Sequence, residues 1–193
     1  DYKNQRKTVP ACRTCNEEYA KIDDELRDVI GILNNGEKHK SELTQKSVKK
    51  LLSNKKTLDE KMHIENDGIS FSFSVNILDQ LHKKNFKGIY YLTKNEPLSD
   101  EYKLDVYSDG HDERKLDLGF TFLEEIEKLG NWDKSGHSDI FRFKLAYFDL
   151  EKDKLTEFKA DCENPLFLVS AMEYNNTIVS VVVAAKPEIQ KIT

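Results

Sequence analysis

Three cysteines are the first residues of this chain that could do chemistry: Cys12 and Cys15, separated by Arg13 and Thr14, and Cys162, alone near the other end. A C-x-x-C pair serves as a redox couple, as half of a metal site or as one end of a structural bridge. With Thr14 as a helix N-cap, Cys15 takes the first helical position, where the dipole and free N–H groups favour a thiolate. A thioredoxin-like site, however, is led in by a buried strand, and the residues here are the polar NQRKTVPA. Zinc asks for four ligands, in two closely spaced pairs. Cys162 has no histidine near it in sequence, so His111 or His137 would have to complete such a site from elsewhere in the fold. The third reading is a disulfide from Cys12 or Cys15 to Cys162. Closing a loop of about 150 residues stabilises by about 4–5 kcal/mol in the chain-entropy treatment. Such a bridge needs an oxidising compartment. Its rival is three reduced thiols in the cytoplasm.

The acidic loop DVYSDGHDERKLD, residues 105–117, is the second candidate. Set against a calcium loop, Asp105, Asp109 and Gly110 fall at positions one, five and six. Tyr107 and Leu116 then occupy positions three and twelve, where oxygen ligands belong, so this is no EF-hand. What remains is a looser divalent-cation site from Asp109, His111, Asp112 and Glu113, set against a solvated turn. Of the five histidines (His39, His63, His82, His111 and His137), two lie beside carboxylates, in DGHDE and GHSD, as an acid-oriented general base requires. No G-x-S-x-G, P-loop or G-x-G-x-x-G accompanies them, which removes those routes to acyl transfer and nucleotide binding.

Aromatic residues offer a third site. Phe141, Phe143, Leu145 and Tyr147 alternate along one strand and form either a ligand-pocket wall or a core stripe. Trp132, in the loop GNWDKSG, is either a recognition aromatic or a lid on the core. Asn175-Asn176-Thr177 is a glycosylation sequon in a turn whose asparagines tolerate positive φ.

Composition narrows the partners. The net charge is −5, from 35 acidic and 30 basic residues, against the basic balance of nucleic-acid binders. The basic run KSVKKLLSNKK is followed at once by Asp59 and Glu60 and reads as a solvated helix face. No stretch reaches the length of a membrane span. A start at Asp1 fits a processed, exported protein and equally a shortened chain.

The elements that must position these residues change character near residue 66. Before it, Tyr19, Ile22, Leu26, Val29, Ile30 and Leu33 make one helical stripe that Gly36 ends; Leu43, Val48, Leu51 and Leu52 make a second. Thr57 and Glu60 open a short third helix that carries Leu58 and Met62. After it, GISFSFSV alternates as a strand, and a helix runs from Asn76 to Phe86. Gly88 leads into a strand GIYYLT, the material for a single βαβ unit. EYKLDVY is the next strand, and a helix capped by Thr121 and Glu124 ends at Gly130. IFRFKLAYFD, KLTEFKA, LFLVSAMEY and TIVSVVVAAK are four further strands, the last apolar on both faces and therefore central.

These readings predict an α+β fold: a mainly antiparallel sheet with a C-terminal four-strand meander, and N-terminal helices packed on one face. The chain reads as a single domain over 1–193, with a helical part (1–66) and a sheet part (67–193). The absence of a catalytic signature points to a non-enzymatic exported or surface domain that binds a protein or small ligand, with no cofactor. The alternative is a thiol- or metal-dependent enzyme using Cys12 and Cys15 or the 109–113 loop. Secretion is the expected localisation, with the cytoplasm as the alternative.

Overall fold

The computed structural model describes residues 9–10, 13–14, 16–20, 22–23, 45–46, 49, 53, 62–65, 68–72, 74–108, 110–134, 141–163, 165–174, 176 and 178–188. They divide into two compact units, one within Ala11–Leu81 and the other within His82–Thr193 together with the first ten residues.

In the first unit, residues 16–20 and 22–23 are helical, and Tyr19 and Ile22 pack with Ile77, Leu78 and Leu81 as the predicted stripe requires. Arg13 and Thr14 are already helical, so Thr14 is not the N-cap; Arg13 Nε meets Glu17 Oε1 at 2.8 Å, one turn on. Strands β1 (Met62–Glu65) and β2 (Gly68–Phe71) form an antiparallel hairpin, with Met62 opposite Phe71 and Glu65 opposite Gly68. Met62 is therefore a strand residue and not part of a third helix. The Thr57–Glu60 capping pattern lies outside the described residues.

Helix α1 runs from Val75 to Lys94, and the boundary between the units falls within it. The expected strand GIYYLT is its C-terminal half, and no parallel pair forms among the described strands. Continued helical spacing decides this: Phe86, Ile89 and Tyr90 are buried on one side, and a strand would send Ile89 and Tyr90 to opposite faces. Asn95, at φ 59°, closes the helix by donating its N–H to the Tyr91 carbonyl.

The second unit is built on one antiparallel sheet. Its strands are β3 (Lys103–Ser108), β4 (Asp133–Lys134), β5 (Phe141–Asp149), β6 (Lys154–Glu157), β7 (Phe167–Tyr174) and β8 (Ile178–Ala185), in spatial order β3-β8-β7-β5-β4, with β6 also on β5. This confirms the α+β class and the central place of β8. The last four strands are not a plain meander. β6 returns along the outer edge of β5, and residues 158–166 then carry the chain to β7 on β5's other side.

Both sheet faces are apolar, and each has its own helix. Val106, Leu145, Leu168, Met172, Val182 and Ala184 face α1 through Phe86, Ile89 and Tyr90. Val169, Ala171, Val181 and Val183 face α2 (Glu113–Glu127) through Ile126, Phe122 and Leu123. The helices of this unit thus cover opposite faces, not one, because β7 and β8 bury side chains of both parities. Truncating a fully buried anchor such as Phe86 to alanine costs about 3–5 kcal/mol.

Candidate functional site

The site grows from a mismatch between two strands. β5 and β7 are paired from Phe141↔Tyr174 to Tyr147↔Leu168, and there the ladder stops. β5 continues through Phe148 and Asp149, paired with Leu155 and Lys154 of β6. On the other side the register would bring Phe167 and Leu166 opposite Phe148 and Asp149, but Phe167 pairs only with Ala185 of β8. Leu166 gives its carbonyl to the Lys186 N–H at 2.9 Å, and the Tyr102 hydroxyl donates to the Pro165 carbonyl. These bonds draw the segment towards the β3 side of the sheet. Between the two diverging segments lies a cleft of about 490 Å³, lined among others by Tyr147, Asp149, Leu150, Lys152, Cys162 and Pro165.

The walls are fixed from several directions. Lys94, in the last turn of α1, donates from Nζ to the carbonyls of Ala160 (3.1 Å) and Cys162, which anchors the turn carrying Cys162. Phe158 is buried at the start of that segment, stacked on Tyr90 at 5.7 Å and edge-on to Tyr147 at 6.3 Å. Cys162 Sγ accepts from the Lys159 N–H at 3.3 Å. On the opposite wall, Asp149 accepts the backbone N–H groups of Glu151 and Lys152 and the Lys152 ammonium at 2.7 Å. The ammonium bond holds the Asp149 carboxyl below its ordinary pKa against the opposing effect of desolvation, and Lys152 is raised in return. The Tyr147 hydroxyl donates to Asp149 Oδ2 at 3.4 Å; desolvation and that carboxylate push the phenol up. The cleft therefore offers an aromatic edge, the exposed side chain of Leu150, a neutral phenol, a paired carboxylate and a free thiol.

The other predicted residues do not converge here. Phe141 and Phe143 pack on the α1-side core, with Phe141 at 4.9 Å from the Tyr174 ring, so of the four proposed pocket aromatics Tyr147 alone lines the cleft. Trp132 belongs to the opposite sheet face, under the Arg142 guanidinium at 4.8 Å; Arg142 also pairs with Glu173 at 2.6 Å. Beside them Lys144, only 3% exposed, donates to the Asn131 carbonyl at 2.8 Å and meets Glu157 at 3.4 Å.

Cys162 is a free cysteine; Cys12 and Cys15 lie outside the described residues, as do Asp109, His137 and Asn175. In the acidic loop, Asp112 is the N-cap of α2, accepting the Lys115 N–H at 3.0 Å, and Glu113 is the first helical residue. His111 turns Nδ1 to the Ser108 backbone, 3.1 Å from its carbonyl oxygen, and Asp105 pairs with Lys115 at 3.4 Å. Among the described residues no three His, Cys, Asp or Glu side chains gather as a metal site would need. Since α2 begins at Glu113, Thr121 is mid-helix, its hydroxyl donating to the Asp117 carbonyl at 2.9 Å, and caps nothing. Among the described residues no helix is long and apolar enough to cross a membrane.

Sequence reasoning missed two features. One is the cleft, which depends on where the β5–β7 ladder ends. The other is His82, fully buried and bonded to Ser180 and Tyr174. Compared with known proteins, the chain matches no family model, no curated protein and no solved structure.

Proposed function

We propose that this chain is a binding domain whose ligand, a small molecule or a short peptide segment, sits in the cleft between the β5–β6 turn and residues 162–166. The observation that carries the reading is the cleft itself. Its size falls within the roughly 300–1,000 Å³ of small-ligand sites, and its lining combines an aromatic and an aliphatic surface with a few fixed polar groups. Binding rather than catalysis is favoured by the state of those groups. Asp149 is committed to Lys152, and Cys162 accepts a backbone N–H, with no histidine in the cleft lining to serve as its base. Work outside the cytoplasm is part of the proposal. It draws on the Asn175-Asn176-Thr177 sequon, whose central residue is exposed at φ 54° between β7 and β8.

A fragment screen read by amide chemical shifts tests the site. Hits are expected to move residues 147–152 and 162–166 together; hits confined to other surfaces would remove the cleft from consideration. Expression through a secretory pathway tests the compartment: a glycan on Asn175 is expected, and an unmodified, aggregated product would count against export.

A further inference from the structure

His82 lies in α1 with no exposed surface, yet it is bonded to residues 92 and 98 positions further along the chain. Its Nδ1 is 3.0 Å from Ser180 Oγ on β8 and 3.3 Å from Tyr174 Oη on β7. Asn85, one turn along α1, donates to the same Tyr174 oxygen at 2.9 Å. Around this cluster stand Phe86, Met172 and Val182, all fully buried. Nε2 is buried and has no hydrogen-bond partner among the described residues; the same holds for Ser108 Oγ, on the residue paired with Ser180 in the β3–β8 ladder.

A neutral imidazole with its proton on Nδ1 suits this place: Nδ1–H donates to Ser180 Oγ or Tyr174 Oη, and Nε2 keeps only a bare lone pair. An imidazolium does not. It carries two N–H donors and a full charge. Ser180 and Tyr174 can accept from Nδ1, but among the described residues nothing receives Nε2–H, and an unpaired charge in a core is costly. Of the titratable groups on the packed elements, Tyr174 on β7 touches the ring and His111, between β3 and α2, acts on it. Glu173 on β7 is paired with Arg142 and Asp105 on β3 with Lys115. β3 also carries Lys103 and Tyr107, and α1 itself carries Asp79, Lys83 and Lys84, while Ser180, Ser108 and Asn85 carry no charge. The charge that acts on the ring among the described residues is that of His111, and it opposes a second proton.

We infer that His82 is a proton-operated clasp: protonation of its ring detaches the second half of α1 from β7 and β8 under acidic conditions. Burial first, and His111 second, hold the imidazole near pKa 4, below the 6.5 of a free side chain. On acidification the opened chain therefore takes up the proton before the closed one. The clasp contributes fully above about pH 6.5 and is lost as the pH falls towards 4. From this ring alone the closing equilibrium constant falls roughly twentyfold between pH 7 and pH 5.

The experiment compares urea unfolding of the full chain and of His82→Asn, which keeps a polar atom near the Nδ1 position and removes the titration. The wild type is expected to lose about twentyfold more in folding equilibrium constant between pH 7 and pH 5 than the variant. Parallel losses in the two proteins would overturn the inference. Should His82→Asn not fold, hydrogen exchange of the wild type decides. Amides of Phe86–Thr93, corrected for intrinsic rate, are expected to open about twentyfold more often at pH 5 than at pH 7. Unchanged opening, or an imidazole resonance that titrates near 6.5 in the intact fold, would overturn the clasp.

Discussion

Tyr147 and Leu168 are the last residues to pair between β5 and β7, and the cleft begins where their ladder ends. The cleft is thus a consequence of strand divergence: β5 is carried onward by β6, while Pro165 and Leu166 are drawn away by Tyr102 and Lys186. Sheet edges left without a ladder partner are natural sites for added backbone contacts.

Two helical glycines should respond in opposite directions to alanine. A Cβ on Gly88 in α1 would meet its nearest atom, a Val9 methyl, at 4.0 Å, so Gly88→Ala gains helix propensity without a clash. We expect stability to rise by about 0.5–1 kcal/mol. A Cβ on Gly119 in α2 would stand 2.9 Å from Tyr107 Cβ, where α2 approaches β3, so Gly119→Ala forces the two apart. We expect a loss of about 1–3 kcal/mol. Thermal or urea unfolding of both variants checks the pair; a gain at Gly119 would contradict the packing of α2 on β3.

Asp112 works as a cap, and its chemistry distinguishes that role from cation binding. Asp112→Ala should cost about 1 kcal/mol, through loss of the bond from the Lys115 N–H. Asp112→Asn should retain most of the stability, since an amide oxygen caps nearly as well. If the asparagine variant proves as unstable as the alanine one, the carboxylate is needed for its charge and the cap is not its main role.

Lys94 shapes the cleft from a distance of sixty residues and more in sequence, through the carbonyls of Ala160 and Cys162. Lys94→Met removes both bonds and leaves those carbonyls to solvent. The Cys162 turn should then open more readily, raising the rate of Cys162 alkylation in the folded protein several-fold. Timed labelling with mass spectrometry reads this directly, and an unchanged rate would show that Lys94 does not hold the wall.

The sheet was legible in the sequence for a simple reason. In IFRFKLAYFD and TIVSVVVAAK, period-two patterning and β-branched content agree, and burial on both faces of the last strand follows from its unbroken apolar run. Its covering helices were less legible. Gly88 reads as a terminator, yet Phe86, Ile89 and Tyr90 keep helical spacing across it; the packing of that stripe outweighs the roughly 1 kcal/mol cost of one glycine. Likewise Thr121 and Glu124 have the spacing of a capping box, but Asp112 starts the helix two turns earlier, and a short pattern inside a longer helix caps nothing.

Neither site could be read from local pattern. His82 has the look of an isolated polar residue on an apolar stripe until β7 and β8 bring Tyr174 and Ser180 to it. The cleft depends on where one ladder stops, and register is a property of two strands together. Tyr147 alternates with Phe141 and Phe143 in sequence, and only the end of the β5–β7 ladder sets it apart from them.

The most direct test of the central claim blocks the cleft chemically. In a Cys12→Ser, Cys15→Ser background, Cys162 is alkylated with iodoacetamide, and the fragment screen is repeated on the blocked and free proteins by ¹H–¹⁵N spectroscopy. The account predicts hits on the free protein that shift residues 147–152 and 162–166 and that disappear on alkylation, while the rest of the spectrum stays in place. Fragments that bind both forms equally, or that never touch these residues, would contradict it.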